Sequence, residues 1–391
     1  MTTAPSPSFR DLDARARAGG PLTVVFFGCS LTWGANSTDP QEHSYRAHIA
    51  RRLTQRYPAA QWRFVDAAIG GTDSRLGIFR FARDVARHQP DLVFVDFTLN
   101  DEPQLADPDH LASYEAIIRR CVGELRVPTV QVLLCAKDMV ACLDLERFRT
   151  RTAHLAIATV YGCAVGDAFA HMQDLHRAGQ LDLAAVWDTP TDACHPGDAG
   201  YRHYADAVWA GFIKAIDGDL VGRMPAQPRH AATYARTVRC RLTTLGLPSG
   251  WTAGKPSRIA AWYDSLMSRW LDDEAVGRSD AAGRAPAAWE LRVCGATILL
   301  FGEATTTSGR LRVLIDGVPS ALLADGILDC RSAFGGAVKL AVAVALGLDE
   351  AREHTVRLEP LADPVPRAAE WRIESVCAAG ADPQVLSSVM H

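Results

Sequence analysis

The side chains of this sequence whose types and spacing could do chemistry are a hydroxyl and an amide, each placed just after a strand-like run, and an aspartate three residues ahead of a histidine. The hydroxyl lies in Gly28-Cys29-Ser30-Leu31-Thr32-Trp33-Gly34, directly after the apolar run Thr23–Phe27. Glycine lets the chain turn sharply there, and the turn leaves backbone N–H groups free to meet an anion. Ala67-Ala68-Ile69-Gly70-Gly71-Thr72-Asp73-Ser74 follows the run Trp62–Asp66, and its paired glycines permit close approach of the backbone to a ligand. Thr98-Leu99-Asn100-Asp101 follows Asp91–Phe97 and offers the amide. Asp192-Ala193-Cys194-His195-Pro196 stands before a helical pattern, and its spacing lets the carboxylate bond the imidazole within one turn. Each piece alone reads as a turn or a helix cap. Together, at one edge of a sheet, they supply a nucleophile, a base with its orienting acid and donors for an oxyanion.

The order and local pattern of these four pieces resemble the four sequence blocks of the SGNH, or GDSL-like, hydrolases. Those blocks usually read Gly-Asp-Ser, then a key Gly, then Gly-x-Asn-Asp, and last Asp-x-x-His. The resemblance covers roughly residues 21–217. It implies that Ser30 attacks an ester carbonyl, that His195 takes its proton and returns it to the leaving alcohol, and that Asp192 orients His195. It further implies an oxyanion hole built from the N–H groups of Ser30 and Gly71 and the side-chain amide of Asn100. Two positions depart from the pattern: Cys29 stands where Asp is usual, and Thr98 where Gly is usual. Both bear on how the nucleophile turn is held, while nucleophile, base and oxyanion donors are all present. Cys29 as nucleophile, and a redox pair of Cys29 with Cys194, are the minor alternatives.

To place these residues the chain needs a sheet with helices on both faces. Thr23–Phe27, Trp62–Asp66, Asp91–Phe97, Val127–Leu134 and Tyr161–Val165 read as strands buried on both sides. They alternate with helical patterns at Ser44–Gln55, Leu76–His88, His110–Leu125, Leu145–Val160 and Ala199–Ile216. This predicts a doubly wound α/β domain with a five-stranded parallel sheet over residues 1–220, and the family resemblance implies its flavodoxin-like three-layer form. Past Asp217 the texture changes to strand-like runs without alternating helices: Trp289–Cys294, Thr297–Phe301, Arg310–Asp316, His354–Leu358 and Trp371–Cys377, with Asp316-Gly317 as a turn signal. A smaller β-sandwich, similar to the jelly-roll modules that accompany some SGNH carbohydrate esterases, is predicted over 221–391. One helical pattern, Ile259–Leu271, lies before or across it.

Composition narrows the partners. A formal net charge of -4 over 391 residues disfavours nucleic acid and anionic membrane, which need a basic face. No apolar run suits a signal peptide or a membrane span, so a cytoplasmic address is expected. The 10 cysteines are scattered singly, and His43 and His48 share a helix without a third ligand, so neither disulfides, a metal nor a cofactor is expected. The expected partner is a small-molecule or oligosaccharide ester, with a homo-oligomer possible. Small and polar residues around Ser30, Gly71 and Asn100 favour acetate over long acyl chains, since each buried methylene is worth only about 0.8 kcal/mol. Trp33, Asn36, Asp73, Lys137, Trp187 and Asp188 fall in loops that could line the pocket. Tryptophans 33, 187, 251, 262, 270, 289 and 371 are candidates to stack on a sugar. The rival readings are an acyltransferase using the same residues and a weakly active binding protein.

Overall fold

The computed structural model describes residues 7–257, 271–332, 336–362 and 368–387; the helix expected at 259–271, with Trp262 and Trp270, falls outside them except for Leu271. The chain divides between Ala231 and Ala232 into two compact units.

In the first unit β1 (Gly20–Gly28), β2 (Ala60–Ala68), β3 (Leu92–Val95), β4 (Thr129–Leu133) and β5 (Ala164–Asp167) form a parallel sheet in the order β2-β1-β3-β4-β5. The alternation of β1 explains why it is central. Leu22, Val24 and Phe26 enter a core shared with helices Phe9–Ala18, Tyr45–Arg56, Ala168–Arg177 and Asp198–Asp217, whereas Phe27 points to the other face and meets Phe81 and Phe97 edge-on. Helices Ser74–Asp84 and Pro108–Arg119 start on side-chain caps from Asp73 and Asp107. Because the chain runs from β1 outward to β2 and then back across to β3, the loops after β1 and β3 part from each other. Their carboxyl ends form the crevice where doubly wound sheets place ligands.

Two ten-residue helices were not anticipated. Phe9, Leu12 and Ala16 make a short buried stripe behind the Ser8 cap, and Ala168–Arg177 is started by Asp167. The expected fifth strand begins at Ala164 rather than Tyr161, because Gly162 ends the preceding helix Arg149–Tyr161 in a left-handed conformation, φ 64°. Residues 221–231 stay with the first unit. Val221 bridges Ser8, the Gly222 N–H donates to Pro7 O, and the N–H groups of Arg229 and His230 donate to Glu115 at 2.7 and 2.8 Å.

The second unit is built of antiparallel strands in two sheets. One contains Arg236–Arg241, Trp251–Gly254, Glu274–Arg278, Thr297–Ala304, Val338–Ala345 and Glu370–Gly380; the other contains Trp289–Cys294, Arg310–Ile315, Val318–Pro319, Ile327–Asp329, Glu353–Leu361 and Gln384–Ser387. Residues of both sheets share one core that includes Trp251, Trp289, Leu300, Val313, Val356 and Trp371. Asp316 and Gly317 have φ of 52° and 79°, the two positive values that a tight two-residue hairpin turn requires. No described helix is long and apolar enough to cross a membrane.

Candidate active site

Ser30 opens a four-residue helix, Ser30–Trp33, at the end of β1. Gly28 is obligatory there, since a Cβ would lie 2.2 Å from Thr32 Oγ1 and 2.7 Å from the Asp96 carbonyl. The Ser30 Oγ stands 2.7 Å from His195 Nε2, and His195 Nδ1 stands 2.7 Å from Asp192 Oδ2. The Asp192 side chain shapes its own loop as well. Its Oδ1 accepts the N–H groups of Cys194 at 2.9 Å and His195 at 3.0 Å, which turns the chain so that the imidazole returns to the carboxylate. Burial raises the Asp192 carboxyl, but the His195 N–H, the imidazole and the Cys194 N–H outweigh it and hold the group below the ordinary aspartate value of 3.8.

The structure thus brings Ser30, His195 and Asp192 into one hydrogen-bonded relay. Gly71 has φ 64°, and Asn100 follows β3 at the same sheet edge as Ser30. Among the described residues nothing accepts a hydrogen bond from the N–H of Ser30 or Gly71 or from the Asn100 side-chain amide. Below them, Arg80 is fully buried on helix Ser74–Asp84. It donates to the carbonyls of Gly28 and Ala67, each at 2.7 Å, and its guanidinium lies 4.3 Å from the centre of the Phe27 ring. One cation therefore fixes the ends of β1 and β2 together. Asp101 joins the other two loops by accepting the Ser74 N–H at 2.8 Å; burial pushes its carboxyl up to about 7.

Both departures from the family pattern have a structural counterpart. Cys29 is buried, and its thiol lies 3.5 Å from Asp96 Oδ2, which also takes the Thr32 hydroxyl at 2.7 Å. The carboxyl missing at position 29 is thus supplied by Asp96, from the neighbouring strand's end. Asp96 is 0% exposed, its Oδ1 has no hydrogen-bond partner, and burial pushes its carboxyl up to about 7. Burial and the Asp96 carboxylate together hold the Cys29 thiol well above its usual value, so it offers little thiolate. All cysteines, Cys194 included, are free thiols. Thr98 uses its hydroxyl to bond buried His154 Nδ1 at 2.9 Å.

Of the other loop residues, Asn36 joins the relay: its amide donates to Asp192 Oδ2 at 3.0 Å and to the His195 carbonyl at 3.3 Å. Asp73 caps its helix and meets His110 Nε2 at 3.3 Å, and the Lys137 N–H holds the Ala193 carbonyl at 2.9 Å. Asp188 packs its carboxylate over Gly197, where a Cβ would lie 2.6 Å from it. Trp33, Trp187, Trp251, Trp289 and Trp371 are at most 5% exposed, which makes them core residues rather than sugar platforms. Sequence reasoning missed Asp96 and Arg80, because neither lies in a recognisable spacing and each acts through contacts far along the chain.

Comparison with known proteins agrees with this geometry. Residues 26–203 match the model of the GDSL-like Lipase/Acylhydrolase family. No curated protein matches the chain. Among solved structures, a two-domain esterase (CEX) active on acetylated mannans, co-crystallised with mannopentaose, aligns with a TM-score of 0.73 at 18% identity, covering 97% of this chain and 95% of that one. A further structure of a two-domain esterase (CEX) active on acetylated mannans aligns with a TM-score of 0.72 at 19% identity, over 96% and 95%. At such identity the likeness is one of fold, and it extends over both units.

Proposed function

From the premise that residues 26–203 make this chain a carboxylic ester hydrolase of the GDSL-like lipase/acylhydrolase family, we propose that it removes acetyl groups from carbohydrates or small glycosides through an acyl-enzyme on Ser30. The observation that carries the reading is the relay of Ser30, His195 and Asp192, linked by two contacts of 2.7 Å. In this reading His195 Nε2 takes the Ser30 proton as Oγ attacks the carbonyl carbon. The developing oxyanion meets the N–H groups of Ser30 and Gly71 and the Asn100 amide, which need no reorganisation because they hold no other partner. The imidazolium, stabilised by Asp192, then protonates the departing alcohol. Water enters, gives a proton to His195 and releases acetate with Ser30 restored.

The preference for a short acyl group rests on what lies beside Ser30. Leu31, Trp33, Ile69 and Trp187 are buried, so none of them offers apolar surface to a long acyl chain. The alcohol is drawn from the likeness to esterases active on acetylated mannans, which makes acetylated oligosaccharides the first substrates to try. The test is hydrolysis by the whole chain of aryl esters graded from acetyl to octanoyl, and of acetylated oligosaccharides, with Ser30→Ala as blank. Acetate released faster than octanoate supports the reading. A clear preference for octanoyl or longer chains sinks it, and transfer of acetyl to an added sugar in place of acetate release redirects it to an acyltransferase.

A further inference from the structure

Helices Ala168–Arg177 and Asp198–Asp217 flank the segment 178–197 that carries Asp192 and His195. On these helices, away from the relay, stands a second cluster with a chemistry of its own. His171 comes from the first helix, and His203 and Asp206 come from the second, three residues apart and so on one face of it. Each offers one ligand atom, and these atoms lie within 4.8 Å of one another. The imidazole centres are 6.2 Å apart. The Nε2 of His171 is shut off from solvent and has no hydrogen-bond partner among the described residues, an arrangement that is unfavourable unless something meets that nitrogen. Arg52 donates to Asp206 Oδ1 and, at 3.2 Å, to the Ala205 carbonyl. It holds the carboxylate from one side and leaves Oδ2 for another cation, as outer partners of metal ligands do.

We propose that His171, His203 and Asp206 form a site for a divalent transition metal, zinc first, that joins the helices on either side of the segment bearing Asp192 and His195. Two imidazoles and one carboxylate are a ligand set suited to zinc and its neighbours, whereas magnesium and calcium want oxygen ligands throughout. Zinc bonds to nitrogen and oxygen run about 2.0–2.2 Å, so the ligand atoms must close in by roughly 1 Å, a movement that side-chain torsion supplies. Three protein ligands leave a fourth position for water. The Arg52 guanidinium opposes the charge of the ion and sets the affinity below that of a closed cysteine site. No spacing signal marks the cluster in the sequence, because its members come from separate helices.

The test uses the whole chain, freed of metal by a chelator and titrated with zinc chloride in competition with a chromophoric chelator. Cobalt(II) serves as the spectroscopic probe. One zinc per chain, a rise in Tm on zinc addition, and the visible bands of four-coordinate cobalt are expected. His171→Ala and His203→Ala should each weaken binding by roughly 10–100-fold or more and abolish the Tm rise. Should either alanine variant fail to fold, His203→Gln and Asp206→Asn replace it. Ser30→Ala should bind zinc with unchanged stoichiometry and affinity, which separates this site from the esterase reading. Zinc binding that is unaltered in both histidine variants, or no binding and no Tm rise at excess zinc, overturns the proposal.

Discussion

Two aspartates at the carboxyl edge of the same sheet behave in opposite ways. Asp192 sits in a loop, half-buried, with both oxygens occupied by N–H donors, and its carboxyl is held below 3.8. Asp96 sits at the end of β3, sealed from solvent, with one oxygen bonded to Thr32 and Cys29 and the other bare, and its carboxyl is pushed up to about 7. The difference is one of hydrogen-bond supply against desolvation. Under the proposed mechanism it amounts to a division of labour: the loop carboxylate keeps its charge for an imidazole that would become cationic, while the buried one gives up charge to hold the turn under Ser30.

If that division is right, substitutions in the relay should remove activity and leave stability, and substitutions beneath it should do the reverse. The largest effect is expected for Ser30→Ala and His195→Ala, each lowering kcat/KM for an aryl acetate by several orders of magnitude with Tm within about 2 °C of the parent. A Ser30→Ala protein that keeps more than about a tenth of the activity would refute the assignment of the nucleophile. Asp192→Asn comes next, with a loss on the order of 10²–10⁴, because orientation and charge suffer while the base survives. Since the Asp192 carboxyl lies below 3.8 when folded, its contribution to stability is full above pH 3.8 and fades only as pH falls through the lowered value. Asp192→Asn should therefore leave the Tm unchanged in its pH trend at neutral pH and flatten it in acid.

The same division governs what could be read from the sequence. The positions of Ser30, Gly71 and Asn100 were legible because each stands a few residues after a strand, and those of Asp192 and His195 because their spacing lets carboxylate and imidazole meet within one turn ahead of helix Asp198–Asp217. The parallel strands were legible as continuous apolar runs, as were the turn at Asp316-Gly317 and five strands of the second unit. Asp96 was not legible: it is the last residue but one of the run Asp91–Phe97, and only the pairing of Phe27 with Val95 brings it under Cys29. Arg80 lies in a helix whose pattern reads as apolar, and nothing local says that its guanidinium spans the ends of two strands. The seven tryptophans named as sugar-stacking candidates mislead in the other direction, since ring count says nothing of burial, and the five of them that are described are all core.

A middle-sized effect comes from moving the carboxyl. Cys29→Asp restores the family pattern but places a second buried carboxyl against Asp96, so it should destabilise the protein by about 1–3 kcal/mol, with one proton shared between the two. Adding Asp96→Asn to that variant should recover most of the loss, because a single carboxyl again faces Thr32. Thermal unfolding of the two single variants and the double variant measures the coupling. Additive effects would mean that positions 29 and 96 do not act as one unit.

Asp96→Asn alone should have a smaller effect whose sign depends on pH. The folded carboxyl titrates at about 7 and the unfolded one at 3.8, so the folded state keeps a proton that the unfolded chain has released between those values. Stability contributed by this group is full below pH 3.8 and declines as pH rises to about 7. An amide carries no such penalty, and its Nδ2 can donate to Thr32 Oγ1 while the Thr32 hydroxyl turns to Tyr45, 3.2 Å away. The Tm of Asp96→Asn relative to the parent should rise from pH 5 to pH 8 by a few degrees, about 2–4 °C per kcal/mol. A difference that stays flat across that range would place the Asp96 titration elsewhere.

The smallest effect is expected at Cys29→Ser. The hydroxyl is smaller than the thiol, which opens a little space in a fully buried site, and that loosening costs a fraction of a kcal/mol. Against it, a hydroxyl is the stronger donor, and Asp96 Oδ2 already lies 3.5 Å from the thiol it would replace, so the carboxyl gains a better partner. The two terms oppose each other and leave stability within about 1 kcal/mol. Activity should stay within a few-fold of the parent, because the Cys29 side chain faces Asp96, on the protein's inner side of the turn, while Ser30 Oγ faces His195. Measuring the rate on an aryl acetate beside the circular dichroism of the same sample checks this. A folded Cys29→Ser protein that has lost its activity would make the thiol the nucleophile and would dissolve the contrast between the relay and the cluster beneath it.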